Sequence, residues 1–158
     1  MINIKKATFA DSKIIGFVPS AAWKQTYKNI FSKDFLNSDS AEKREKEFLD
    51  SLSEPNILYL IIENDLKVAG IVKLIFYEKF VEISSFYILQ EFRKKGLGKQ
   101  TFDFIKNLAA AKPLVLWVLK ENTAARNFYE KVGMHFTNKT RVIKRGSDFV
   151  QYMYSTSF

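Results

Sequence analysis

The sequence predicts a single-domain mixed α/β fold, a mostly antiparallel central sheet covered by helices on both faces. Three observations carry that expectation. Short β-branched and aromatic runs alternate with stretches of helical spacing in the order β-α-α-β-β-β-α-β-α-β-β. One run, PLVLWVL at 113–119, is unbroken apolar, the signature of a strand buried on both faces. Finally, 158 residues that are 47% hydrophobic and 27% charged supply one core of ordinary size.

Taken in order, INIKKAT (2–8) reads as a short first strand. Asp11 and Ser12 are helix starters, and residues 11–31 have helical spacing that Pro19 should interrupt. Within this segment Trp23, Tyr27 and Ile30 fall at i, i+4 and i+7, one apolar stripe. SDSAEKREKEFLDSL (38–52) opens on an Asp/Ser cap and continues as a charged helix, which Pro55-Asn56 ends. NILYLIIE (56–63) and LKVAGIVKLIFYE (66–78) flank a polar two-residue connection at Asn64-Asp65, a hairpin signal. FVEISSFYIL (80–89) adds a third sheet segment. After Gly-Leu-Gly, a helix sets Leu97, Thr101, Phe104 and Leu108 on one face. Beyond the apolar strand, ENTAARNFYEKVG (121–133) is a short helix with Asn122 as its cap and Gly133 as its stop. HFTNKTRVIKRGSDFVQYMYS closes the chain as a hairpin around Arg145-Gly146-Ser147-Asp148.

Composition narrows the chemistry. Without cysteine there are no disulfides, thiolate metal sites or cysteine nucleophile. The single histidine, His135, argues against a His-built metal site or a Ser–His pair, and no G-x-S-x-G occurs. The N-terminus has no apolar signal region and no run of 18 apolar residues follows, so a cytoplasmic protein without membrane attachment is expected. Most of the net charge of +8 lies in the second half of the chain. Such a surplus suits nucleic acid, or a multiply anionic small molecule.

The stretch FRKKGLGKQ (92–100) concentrates that charge around two glycines. Its residues allow a nucleic-acid clamp, a solvated basic turn or a phosphate cradle. The position between an apolar strand and a helix favours the cradle. Amides at a helix N-terminus point outward unpaired and carry the positive end of the helix dipole, and glycine lets an anion approach the backbone. The pattern is neither a Walker loop nor a Rossmann fingerprint.

Arg93-Lys94-Lys95-Gly96-Leu97-Gly98 between strand and helix, then the strand PLVLWVL, then Asn122 and Tyr129 in NTAARNFYEKVGM, together resemble the GNAT superfamily of N-acetyltransferases over essentially the whole chain. AAWKQTYKNIFSKDFL further resembles the first-helix region of a bacterial subgroup that includes polyamine acetyltransferases. The resemblance implies an acetyl-CoA-dependent acyltransferase, with no metal. It implies that loop amides from Arg93 through Lys94, Lys95, Gly96, Leu97 and Gly98 to Lys99 hold the pyrophosphate. It also implies that the backbone of Phe86, Tyr87, Ile88 and Leu89 pairs with the pantetheine arm.

The same resemblance makes Asn122 a cofactor contact and Tyr129 the general acid that protonates the leaving thiolate. Lys131 would reach the ribose phosphate. Glu82 is the candidate base for the amine, and Trp23 and Tyr27 are candidate walls of the acceptor pocket. Each has a plainer reading: Asn122 as an N-cap, Tyr129, Trp23 and Tyr27 as core aromatics, Lys131 as a solvated lysine, Glu82 as a surface strand residue. The reaction implied is direct attack in a ternary complex, which the lack of cysteine fits. Two other functions stay open: a GNAT fold that binds acetyl-CoA without turnover, and a basic nucleic-acid-binding module. The acceptor is a small-molecule or peptide amine of unspecified kind, and a homodimer is compatible with the family.

Overall fold

The structure, a computed structural model, describes residues 1–157. The chain runs β1 (Ile2–Lys6), α1 (Ser12–Tyr27), α2 (Lys33–Ser38), α3 (Ala41–Ser51), β2 (Ile57–Asn64), β3 (Lys67–Phe76), β4 (Val81–Ile88), α4 (Leu97–Ala109), β5 (Leu114–Leu119), α5 (Thr123–Lys131), β6 (His135–Lys144) and β7 (Asp148–Ser155). The strands form one seven-stranded sheet in the order β1-β2-β3-β4-β5-β7-β6. Every pairing is antiparallel except β4 with β5.

Helices cover both faces, as the element order requires. On one face Leu97, Phe102, Ile105 and Ala109 of α4 pack with Leu60, Ile62, Leu74, Val81, Ile83, Leu114 and Leu116 of the sheet. On the other, Ile15, Val18 and Ala22 of α1 and Phe48 of α3 meet Tyr59, Ile61 and Ile71. A third, aromatic cluster joins Trp23, Tyr27, Phe31 and Phe35 to Phe149 of β7.

Several boundaries differ from the sequence expectation, each for a physical reason. Pro19 does not interrupt α1, which continues through it to Tyr27. Tight packing carries the helix past the proline: Gly16 lies so close to α3 that a Cβ there would come 2.4 Å from the Ala41 carbonyl oxygen. Helix α2 is an element the sequence pattern did not reveal, because six residues capped by Ser32 are too short to show a stripe. The hairpin turn is Asp65-Leu66, one residue later than expected, and both residues have positive φ (50° and 67°) as a type I′ turn demands.

Helix α4 is rotated from the expected stripe. Leu97 and Thr101 are buried as expected, but the buried arc centres on Ile105, leaving Phe104 and Leu108 at its edge, 36% and 40% exposed. Strand β5 is not buried in apolar core on both sides. Leu114, Leu116 and Val118 enter the main core, whereas Trp117 faces a polar cleft.

Candidate functional site

The site grows from the one parallel pairing. Strands β4 and β5 pair only at Val81 with Leu114 and at Glu82 with Val115, and then separate. Immediately after, β4 carries a bulge: Ile83 pairs with Leu74 and Ser85 with Lys73, leaving Ser84 unmatched. A bulge bends its strand and resets the alternation of faces. Val81, Ile83, Phe86 and Ile88 therefore all lie on the α4 side, while Glu82 and Tyr87 face the α1 side.

Beyond the bulge the β5-facing edge of β4 has no strand partner. The Leu89 amide donates to the Ala69 carbonyl at 2.8 Å. Antiparallel alternation then gives Tyr87 to the same β3-bonded set and turns the amides and carbonyls of Phe86 and Ile88 toward the gap. The Ile88 carbonyl is taken by Arg93, whose Nε donates to it at 2.8 Å and whose Nη2 donates to the Thr26 hydroxyl at 3.1 Å. Arg93 thus braces the end of β4 against α1, and burial lowers its pKa.

The basic loop follows. Lys94 and Gly96 both have positive φ, 61° and 79°. Gly96 caps α4 in the left-handed region, where an L side chain is strained. The space beside it is open: a Cβ would meet only the tip of Gln100, 3.8 Å away. Gly98 has a different role, because a Cβ there would lie 2.9 Å from the Phe128 ring. It lets α4 and α5 approach. Leu97 contributes its side chain to the core, Lys95 sits over the Phe92 ring, and Lys99 pairs with Asp103 at 2.9 Å.

Helix α5 places the next two residues. The Asn122 side chain accepts from the Ala125 amide at 3.2 Å, so it is an N-cap. It also lies near the Tyr27 phenol, whose pKa it holds down against the rise that burial causes. Burial pushes the Tyr129 phenol above its ordinary range, and the nearby Tyr27 and Tyr87 phenols raise it further. These three tyrosines come from α5, α1 and β4, and Tyr129 belongs to the opposite face of the sheet from the other two. Their phenols are close enough to act on one another electrostatically where β4 and β5 have separated, a window through the sheet. Lys131 is exposed on the last turn of α5, away from this cluster's lining.

On the α1 side the window opens into a cleft of about 280 Å³. Trp23, Tyr27, Phe31 and Trp117 give it aromatic walls, Glu82, Ser84 and Tyr87 come from β4, and Arg141, Arg145 and Gln151 come from the closing hairpin. The sequence-predicted Trp23, Tyr27 and Glu82 are therefore brought together. Burial also raises the phenols of Tyr27 and Tyr87, and the charge of nearby Arg44 acts against that rise in both. Sequence reasoning missed Tyr87 as a side chain, and it missed Trp117, Arg141 and Arg145. Only the hairpin's register brings those arginines over β5, and no local spacing encodes it. Among the described residues, no group of His, Cys, Asp and Glu is arranged to hold a metal ion.

A model of the acetyltransferase (GNAT) family matches residues 22–134. The chain is similar to spermidine N(1)-acetyltransferase of Thermoplasma acidophilum, 27% identical over 157 residues that cover 94% of each chain. It is also similar to the crystal structure of the PaiA N-acetyltransferase from Thermoplasma acidophilum in complex with coenzyme A. That likeness has a TM-score of 0.77 at 26% identity, covering 96% of this chain and 98% of that one. The ribosomal-protein-S18-alanine N-acetyltransferase from Escherichia coli shares the fold, with a TM-score of 0.74 at 15% identity over 98% of this chain and 92% of that one.

Proposed function

The chain belongs to the acetyltransferase (GNAT) family of acetyl-CoA-dependent acyltransferases, and on that premise we propose that it acetylates a primary amine by direct attack within a ternary complex. The observation that carries this reading is the window. Tyr129 reaches it from one face of the sheet, Tyr27 and Tyr87 from the other, and Glu82 stands on the cleft wall beyond.

The residues present suit acetyl-CoA. The backbone of Phe86 and the Ile88 amide, on the edge of β4 that β5 leaves, offer strand-like hydrogen bonds to an extended amide-bearing arm. The open left-handed turn at Gly96 and the free amides that begin α4 suit a pyrophosphate. Lys94, Lys95 and Lys99 add positive charge around it. When bound, acetyl-CoA supplies an activated acetyl carbonyl with a thiolate leaving group.

Each residue then has a defined task. Glu82 takes the proton from the acceptor ammonium, so that a neutral nitrogen attacks. The new N–C bond forms as the C–S bond breaks. Tyr129 gives its phenolic proton to the departing sulfur, and the second proton that the nitrogen sheds as the amide forms restores the phenol, whose raised pKa keeps it protonated until it is needed. Asn122 fixes the start of α5 and lies near Tyr27 at the edge of the window. Trp23 and Tyr27 orient the acceptor.

The test is release of free CoA from acetyl-CoA across amino acids, peptides, polyamines and aminoglycosides. Turnover on at least one amine is expected. Acetyl-CoA binding without turnover on any of them would favour a non-catalytic binder. Glu82→Gln should lower kcat/KM by about 10²–10⁴-fold at neutral pH, the usual weight of a general base, and an unchanged rate would remove Glu82 from that role. A polyamine acceptor is the second reading, supported by the similarity to the Thermoplasma acidophilum spermidine N(1)-acetyltransferase.

A further inference from the structure

The cleft's charge argues about the acceptor itself. Its lining holds one carboxylate, Glu82, against two guanidinium groups, Arg141 and Arg145. Arg44 adds a third nearby, 5.8 Å from the centres of both the Trp23 and Tyr87 rings. Asp39 largely offsets Arg44: its carboxylate accepts from Arg44 Nε at 3.0 Å and from the Ser20 hydroxyl at 2.6 Å. Glu82 attracts Arg141 across the lining without a salt bridge, while Arg145 is close enough to oppose its charge. Among the described residues, no carboxylate forms a salt bridge with Arg141 or Arg145.

Both guanidinium groups are held in place with donors to spare. Arg141 stacks 4.2 Å from the Trp117 ring centre and donates Nε to Gln151 at 2.6 Å, which leaves its two terminal nitrogens uncommitted. Arg145 donates Nη1 to the Lys144 carbonyl at 2.7 Å. Its turn is seated on α2, where a Cβ at Gly146 would lie 3.3 Å from Phe35 Cβ. A guanidinium fork of this kind matches the two oxygens of a carboxylate.

The acids that would recognise a polyamine are elsewhere. In α3, Glu45 pairs with Lys13, Glu47 with Lys73 and Asp50 with Lys46, and none of them lines the cleft. A polycation would enter a cleft of net positive charge with one carboxylate to meet it, which is a repulsive arrangement.

We propose that the acceptor is a small amine that also carries an acid group, an amino acid or a close analogue, with Arg145 and Arg141 holding that acid while Glu82 faces the amine. This rests on the reading of the cleft as the acceptor site of an acetyltransferase. The cleft volume of about 280 Å³ suits one such molecule.

The test compares initial rates of CoA release for the twenty amino acids and their carboxamides, with spermidine alongside. The free acids should exceed their amides by about tenfold to a hundredfold in kcat/KM, the weight of a charged hydrogen bond, and should exceed spermidine as well. In Arg145→Gln that preference should fall below about threefold through KM, and Arg145→Lys should restore part of it. The amide of each pair serves as the internal reference, so partial loss of folded enzyme does not alter the ratio. Amides or spermidine turned over as well as the acids would overturn this proposal and leave the acetyltransferase standing. A preference unchanged in both Arg145→Gln and Arg141→Gln would also overturn it. No turnover on any amine would overturn both.

Discussion

Burial raises the phenol of Tyr129 above an already high ordinary value, and the sign of that shift decides its chemistry. A phenol stays neutral below its pKa, so the group is a proton donor across the whole working range. The rate should therefore show no basic-limb loss due to Tyr129 below about pH 10, the ordinary phenol value. A basic limb near pH 8–9 that disappears in Tyr129→Phe would contradict this. Tyr129→Phe itself should lower kcat by about 10²–10⁴-fold, the usual range for a general acid, with acetyl-CoA affinity by calorimetry little changed. Asn122 and Tyr129 could be singled out in the sequence because the family resemblance falls on one short segment, the cap and helix of α5. Arg141 and Arg145 were not, because their meaning comes from strands paired across the sheet. Glu82 was half legible: its strand was plain, but its face depended on where the bulge fell.

At the scale of the element, α4 carries two distinct demands. Its first turn needs Gly96 in the left-handed region with open space beside it. Gly96→Val should weaken acetyl-CoA binding by about tenfold or more, from backbone strain of roughly 1–3 kcal/mol and a blocked approach, and equal affinity by calorimetry would count against the cradle. Its buried arc holds Thr101, fully inaccessible, with a hydroxyl that has no hydrogen-bond partner among the described residues. Thr101→Val removes that hydroxyl at nearly constant shape. It should leave the melting temperature equal or raise it by about 2–4 °C, and a clear fall would mean the hydroxyl has a partner in solution. The helix was legible in the sequence and its orientation less so, because Leu97, Thr101, Phe104 and Leu108 make a stripe as continuous as the arc centred on Ile105. The sheet decides between them. Pro19 teaches the same lesson in α1: local propensity predicts a break, and the close approach to α3 overrides it.

Across the whole molecule, charge and architecture separate into two tasks. The order of elements, the alternating hairpins and the cover on both faces could all be read from periodicity, because each records how one segment meets water and core. The splay of β4 from β5 could not, because it is an absence of pairing. Lys94, Lys95 and Lys99 stand around the proposed donor site at the start of α4, so association with acetyl-CoA should be steered by charge. Its kcat/KM should fall several-fold between roughly 20 and 200 mM salt, as screening shortens the reach of the lysines. A rate insensitive to salt would confine their role to contact.

The gap between β4 and β5 also makes the sheet a partition with a doorway. In the proposed reading the loop before α4 and the open edge of β4 serve the donor's approach, while α1 and the β6–β7 hairpin shape the other room. The two adjoin at Tyr27, Tyr87 and Tyr129, and again where Arg93 at the end of β4 braces against Thr26 of α1. Changes to the hairpin can therefore alter which amine is admitted without disturbing how the acetyl group is delivered, and the fold can exchange one clientele for another by redecorating one side of its wall.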